Sequence, residues 1–335
     1  MSAALVAENL SIGYRGTRRG DVSVASAMNA SLRAGELTCL LGPNGAGKST
    51  LLRTLCGMQA PLAGNVQIAG QALSTLGAPE LARLLSVVLT ERVETEYLSV
   101  WELVALGRFP FTGWLGRLSD EDRAAVQRAI RQCELESFAT RMLPELSDGE
   151  RQRALIARAL AQETPLVLLD EPTAFLDVPR RVEVLRLLWT LARETGKAFL
   201  VSTHDLDLAL RCADRLWVLA PGTPLVTGLP EELALSGVLE RTFRGQGFAF
   251  NSADGTFHIE RTARGQIKLS GSGPAAHWTR RALERHGYTL QENAAVCVSV
   301  SNGPKWSIEA GGPAREAASL PDALALIEEL SAAKV

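Results

Sequence analysis

Short apolar runs recur along the N-terminal part of the chain, at Leu37–Leu41, residues 86–89, Leu166–Asp170 and residues 198–203. Runs of this length without polar alternation read as strands covered on both faces, the pattern of a parallel sheet. Residues 4–14 and 22–33 read as two longer strands separated by a polar turn at 15–21. Val66-Gln67-Ile68 alternates as a short strand after a loop at 59–64. Elsewhere the period is helical. Residues 51–55 read as the first turns of one helix. Ser99 reads as the N-cap of a helix over 100–106, which Gly107 and Pro110 break. Ser119 opens another that runs to about Cys133, with Glu121 and Asp122 favourably placed on its dipole. Helices are also predicted over 180–194 and 205–212, and strands over 215–220 and 225–226 around the turn Pro221-Gly222-Thr223-Pro224. Strands alternating with helices indicate an α/β sheet, here carrying a helical block over 100–162.

After about residue 245 the texture changes. Phe248-Ala249-Phe250 and Phe257-His258-Ile259 flank Asp254-Gly255 and read as a hairpin. Strands over 266–270, 296–300 and 306–308 and helices over 274–286 and 320–333 come next, the pattern of a separate α+β unit large enough to fold by itself.

At 335 residues the chain accommodates two domains, and 46% hydrophobic residues supply a sizeable core. A formal net charge of -2 gives no bulk attraction to nucleic acid or to an anionic membrane. The five cysteines (Cys39, Cys56, Cys133, Cys212, Cys297) lack CxxC spacing and read as reduced, packed residues. The first residues lack the basic region of a signal peptide, and no apolar run approaches the roughly 18 residues of a membrane span. A role at a membrane would therefore run through a partner.

The chemistry centres on Gly42-Pro43-Asn44-Gly45-Ala46-Gly47-Lys48-Ser49-Thr50, the pattern G-x-x-x-x-G-K-[ST] between a predicted strand and a predicted helix. Its glycines let backbone N–H groups turn inward onto phosphate oxygens, and the helix N-terminus adds a positive dipole end. Lys48 is placed to reach the β- and γ-phosphates and the Ser49 hydroxyl to ligate Mg²⁺. Asp170 and Glu171 close an apolar strand, where Asp170 can hold Mg²⁺ and Glu171 can polarise an attacking water. Ser202-Thr203-His204-Asp205 ends the next predicted strand, bringing His204 to the same edge. Leu146-Ser147-Asp148-Gly149-Glu150-Arg151-Gln152 reads as a capping box, Ser147 with Glu150, and a capped helix start is also an anion site. Tyr14 lies upstream, where its ring can stack on adenine.

Together these motifs resemble the nucleotide-binding subunit of ATP-binding cassette (ABC) transporters over roughly residues 3–240. In that family's terms, Gly42 to Thr50 matches the Walker A loop, Leu146 to Gln152 the signature, Leu166 to Glu171 Walker B, Phe175-Leu176-Asp177 the D-loop, His204 the switch histidine and Tyr14 the A-loop. The resemblance implies a P-loop NTPase cassette over 1–240: a RecA-like core, an antiparallel β subdomain and a helical subdomain at about 95–162. Residues 245–335 would form a small α+β accessory domain, to which the sequence assigns no role. It further implies ATP and Mg²⁺ as ligands and a head-to-tail dimer. In that dimer each ATP lies between the Walker loops of one chain and Ser147, Gly149 and Glu150 of the other. Leu106-Gly107-Arg108-Phe109-Pro110 and Trp114-Leu115-Gly116-Arg117 look like the importers for ferric siderophores, haem and cobalamin. That likeness implies multi-span permease subunits, a substrate-binding protein, a place at the cytoplasmic face of the cell membrane and no nucleic-acid partner.

Several positions depart from the family pattern. Thr90 falls where a glutamine usually helps hold Mg²⁺. Asp148 and Glu150 replace a glycine and a glutamine in the signature, and Ala174 and Phe175 replace a serine and an alanine at the D-loop. A soluble ABC ATPase and an exporter subunit are the rival readings. The single cassette and the compact helical block argue against the first, and residues 108–116 against the second. Gly271-Ser272-Gly273 precedes a helix but has no following lysine or flanking acids, and it reads as a turn.

Overall fold

A computed structural model of the protein describes residues 3–17, 20–89, 97–113, 116–245, 248–252, 255–259, 262–301 and 305–332. Residues up to Arg244 with Phe250–Thr256 form one compact unit, and Gly245–Ala249 with Phe257 onward form another. The strands of the first unit are β1 (Ala3–Thr17), β2 (Gly20–Arg33), β3 (Leu37–Leu41), β4 (Ala63–Ile68), β5 (Gln71–Ala72), β6 (Leu85–Val88), β7 (Leu166–Asp170), β8 (Ala198–Ser202), β9 (Arg215–Val218) and β10 (Val226–Gly228). Its helices are α1 (Lys48–Leu55), α2 (Ala78–Leu84), α3 (Val100–Ala105), α4 (Asp120–Gln132), α5 (Asp148–Ala161), α6 (Val178–Thr195), α7 (Leu206–Cys212), α8 (Pro230–Leu235) and α9 (Val238–Phe243).

The apolar runs assemble a six-stranded sheet in the order β10-β9-β3-β8-β7-β6. β9, β3, β8, β7 and β6 are parallel, and β10 closes one edge antiparallel to β9. Every residue of β3 and β8 is buried, as strands covered on both faces must be. Successive side chains then serve two different cores. Leu37, Cys39 and Leu41 of β3 and Phe199 and Val201 of β8 join a core with the helices α3 to α7. Leu40, Ala198 and Leu200 join the other, with α1 and the antiparallel sheet β2-β1-β4-β5. Because the strands are parallel, β3, β7 and β8 all deliver their C-terminal ends to one edge.

The polar turn expected at 15–21 is narrower in the structure, because β1 continues to pair through Thr17 with Gly20. The loop expected at 59–64 already contains the start of β4. Its Gly64 sits at φ +85, and a Cβ there would come within 2.3 Å of the Asn9 carbonyl oxygen. The helices α2, α8 and α9 and the strand β5 are too short, at two to seven residues, for periodicity to show them. Gly107 and Pro110 end α3, yet the chain does not become a loop: Leu106–Phe111 tightens into a 3-10 turn, which tolerates Pro110. Trp114 and Leu115, from the segment that resembles the metal-chelate importers, and Asp254, from the expected hairpin turn, lie outside the described residues.

One buried ion pair fastens this turn to the helical block. Arg108 is 5% exposed. Its Nε donates to Asp122 Oδ1 at 2.8 Å, and its Nη1 donates to the Ala161 carbonyl and to Glu163 Oε2, each at 2.8 Å. The guanidinium also lies 4.1 Å from the Phe111 ring centroid. Burial pulls the Asp122 carboxyl upward, but the Ser119 backbone N–H, the Arg108 guanidinium and the Ser119 hydroxyl outweigh it and leave it below the ordinary carboxylate value. Gly107 meets α5 so closely that a Cβ would come within 2.2 Å of the Arg158 carbonyl oxygen.

The second unit has β13 (Gly265–Ser270), β14 (Tyr288–Leu290), β15 (Val296–Ser301), β16 (Lys305–Glu309) and β17 (Arg315–Ala317) in the order β14-β13-β15-β16-β17. The hairpin strands β11 (Phe248–Asn251) and β12 (Thr256–Ile259) precede them and pair with each other. The helices α10 (Gly273–Arg285) and α11 (Leu320–Ala332) pack with the five strands around Ile267, Leu283, Val298, Ile308 and Ile327. Gly271 packs against β15, where a Cβ would come within 2.6 Å of the Val300 carbonyl oxygen, so its glycine serves a close approach of backbone.

Replacing Arg108 with alanine strands the buried Asp122 carboxylate. The expected loss is about 3 kcal/mol of stability, measured by denaturant unfolding. The double change Arg108→Met with Asp122→Asn should recover part of it, since no charge is then left unpaired.

Candidate functional site

The loop between β3 and α1 has the geometry its glycines predict. Gly45 and Gly47 adopt φ +78 and +101. A Cβ on Gly47 would meet Val24 Cγ1 at 2.3 Å, and one on Gly42 would meet the Leu219 carbonyl oxygen at 2.1 Å. The helix α1 starts at Lys48, with Gly47 as N-cap, no side-chain cap and no acid in its first turn. Its opening N–H groups therefore have no capping side chain to answer them. Lys48 is 6% exposed, and its ammonium folds back onto the carbonyl oxygens of Gly42 at 2.8 Å and Pro43 at 3.3 Å. Burial lowers its pKa, against the opposing pull of the Glu171 and Asp170 carboxylates. Ser49 is exposed at the loop and Thr50 is buried, with its hydroxyl 3.2 Å from the Tyr14 hydroxyl. Tyr14 itself is half exposed beside the loop.

Asp170 ends β7 opposite Ser202 of β8. The Ser202 hydroxyl donates to Asp170 Oδ1 at 2.6 Å and accepts the Glu171 N–H at 2.8 Å. Glu171 stands at φ +49, a left-handed conformation for a residue with a side chain. Its Oε1 lies 2.5 Å from His204 Nε2. Lys48, Asp170, Glu171 and His204, predicted from separate motifs, thus meet at one edge of the sheet. Thr90, the remaining candidate metal ligand, lies outside the described residues.

The signature residues form a second element. Ser147 caps α5: its Oγ accepts the Glu150 N–H, while Glu150 Oε2 takes the Ser147 N–H and hydroxyl at 2.7 Å each. The Ser147 hydroxyl and N–H, helped by Arg141 and Arg153, hold the Glu150 carboxyl below its ordinary value. The signature acid is therefore tied into the cap. Gly149 is covered by the stem of Arg180, whose Cδ would lie 3.3 Å from an added Cβ. Asp177 caps α6, accepting the Arg180 N–H at 3.0 Å. The sequence motifs assign no role to Ser202 or Arg180. A lone serine ending the apolar run 198–201 is the signal for the first, and Arg180 has none.

This donor set fits a nucleoside triphosphate with Mg²⁺. Uncapped N–H groups and a buried ammonium suit phosphate oxygens. Among the described residues no cluster of three or more His, Cys, Asp or Glu side chains can hold a metal. Ser49 and Asp170 offer oxygen donors, the kind of ligand that Mg²⁺ takes together with phosphate and water.

The fold and site are those of a P-loop NTPase of the cassette type. Residues 25–174 match the ABC transporter family and residues 264–328 match the iron ABC transporter C-terminal domain. The chain is 37% identical over 241 residues to the iron(3+)-hydroxamate import ATP-binding protein FhuC of Bacillus subtilis, covering 72% of this chain and 88% of that protein. It is also 37% identical over 241 residues to the ferric enterobactin transport ATP-binding protein FepC of Escherichia coli, covering 72% and 87%. Among solved structures, the dimeric bacterial ABC transporter cassette MJ0796 superposes with a TM-score of 0.58 at 29% identity, over 68% of this chain and 98% of that one. The chain belongs to the ATP-binding subunits of ABC transporters, ATPases that work within a membrane transport system. None of its described helices is long and apolar enough to cross a membrane.

Gly47→Ala tests the cradle directly. It forces a side chain into φ +101 and against Val24. ATP affinity, measured by titration with a fluorescent nucleotide, should fall roughly tenfold or more.

Proposed function

We propose that this chain hydrolyses ATP to power uptake of a ferric siderophore or a chemically related iron chelate. The observation that supports this reading best is the pairing, in one chain, of the cassette with the match to the iron ABC transporter C-terminal domain. FhuC and FepC, named for ferric hydroxamate and ferric enterobactin, point the same way.

In this reading the N–H groups of residues 44–49 surround the β- and γ-phosphates, and Lys48 leaves the Gly42 and Pro43 carbonyls to meet them. Tyr14 stacks on adenine. Ser49 and Asp170 hold Mg²⁺, which when bound neutralises phosphate charge. Glu171 accepts the proton of the attacking water as general base, and His204 holds the Glu171 carboxylate toward it. Ser147, Gly149 and Glu150 offer the N-terminus of α5 to the nucleotide of a second copy, arranged head to tail, with Asp177 at the same seam. ATP closes the pair and hydrolysis releases it, which the permease receives as motion. The subunit sits at the cytoplasmic face through that permease, a binding protein delivers the chelate from the other side, and residues 245–335 form an accessory domain of the same subunit.

Glu171→Gln keeps the size of the side chain and removes the base. With saturating ATP the variant should bind nucleotide normally, stop turning over, and run as a dimer in light scattering. A variant that stays monomeric contradicts the clamp. With its permease in vesicles, the unmodified chain should drive ATP-dependent uptake of a ferric hydroxamate or catecholate. Uptake of cobalamin alone would contradict the iron reading.

A further inference from the structure

We propose that Ser202 is a positioning residue of the ATPase site. Its single hydroxyl locks the carboxylate of Asp170 and the main chain of Glu171 into one arrangement. The inference rests on the roles proposed above for Asp170 and Glu171.

Ser202 ends β8, whose other residues, Ala198-Phe199-Leu200-Val201, are apolar. It is 0% exposed. A buried hydroxyl at the end of such a strand needs partners, and these two are unambiguous. A carboxylate accepts and a backbone N–H donates, so the proton of Ser202 points to Asp170 Oδ1 at 2.6 Å and a lone pair receives the Glu171 N–H at 2.8 Å. The parallel register puts Ser202 directly opposite Asp170, so the bridge spans neighbouring strands without a loop between them.

The second bond supports a strained position. Glu171 holds φ +49, where a Cβ is crowded, and such conformations persist only when neighbours over-determine them. The end of β8 grips Glu171 at both of its ends. Ser202 takes its N–H, and His204, two residues further on, meets its carboxylate at 2.5 Å. The Glu171 carbonyl is held in turn by the Ala174 N–H at 3.0 Å. Removing the hydroxyl takes the β8 donor away from the Asp170 carboxylate and the Ser202 acceptor away from the Glu171 N–H. Both the metal-ligand geometry and the aim of the base should suffer, while the phosphate loop, built from other residues, should not.

The test uses the full chain with Ser202→Ala and Ser202→Thr. Three quantities separate positioning from general damage: kcat against KM for ATP, ATP affinity without divalent metal, and the affinity for Mn²⁺ in the presence of a non-hydrolysable ATP analogue, read by electron paramagnetic resonance. For Ser202→Ala, kcat should fall roughly 10- to 100-fold and the Mn²⁺ dissociation constant should rise roughly tenfold. ATP affinity without metal should stay within about twofold of the unmodified chain, since Lys48 and the loop are untouched. Threonine, which keeps the hydroxyl, should restore both lost quantities. Unchanged kcat and Mn²⁺ affinity in Ser202→Ala overturn the proposal. So does a parallel loss of metal-free ATP binding and melting temperature, the mark of a structural role. Glu171→Gln measured alongside separates the two levels. If it abolishes turnover while Ser202→Ala does not slow it, the Ser202 role alone is wrong. If Glu171→Gln turns over normally, the underlying reading of the site is wrong and the Ser202 role falls with it.

Discussion

Parallel pairing of β3, β8 and β7 is the constraint on which the site depends. Parallel strands end on the same side, so the phosphate loop after β3, the acids after β7 and the histidine after β8 must share an edge. The pairing in turn requires both faces of the sheet to be covered. Alternate residues of each strand are committed to different cores, one with the helical block and one with α1 and the antiparallel sheet. β3 carries one polar residue between these positions, Thr38, which is 1% exposed. At the last position of β8 the apolar pattern gives way to Ser202, and there the hydroxyl is used.

The constraint also explains how Glu171 can hold an uncommon backbone conformation. Its N–H, carboxylate and carbonyl are each held by a different neighbour, so no single contact has to carry the strain. Lys48 is treated alike. Its ammonium rests on two loop carbonyls in a buried setting, and burial depresses its pKa. An ammonium so placed favours a phosphate over the partial charges it now contacts. The signature belongs to a different part of the unit. Its cap closes on itself through Ser147 and Glu150, and its helix is anchored to the Arg108 turn rather than to the phosphate loop.

Much of this was legible in the residues, for reasons that differ by element. β3, β7 and β8 were readable because strands buried on both faces have no alternation to confuse with a surface. The helix starts at Ser99 and Ser119 and the capping box at Ser147 were readable because a cap and its partners lie within three residues of each other; the structure closes a capping box at all three. The short helices α2, α8 and α9 and the strands β5, β14 and β17 were not, since a two- to seven-residue element carries too little periodicity. The Arg108 network joins residues 14 and 55 positions apart, and the Ser202 bridge joins residues 32 apart. Local spacing says nothing of such pairs; only the sheet register and helix packing bring them together. Phe250 shows the same limit at the domain level. It is 2% exposed within the core of the first unit, although its sequence has the texture of the C-terminal unit.

The central claim is that each ATP site is completed by a second copy of the chain. Mixing two inactive variants tests it most directly: one chain carrying Lys48→Ala, the other Ser147→Arg. In a head-to-tail pair, one of the two sites in the mixed dimer collects both defects and the other collects none. ATP turnover absent from each variant alone should therefore reappear on mixing. If the mixture stays as inactive as its components while both chains bind each other, each site is built within one chain and the composite account is wrong.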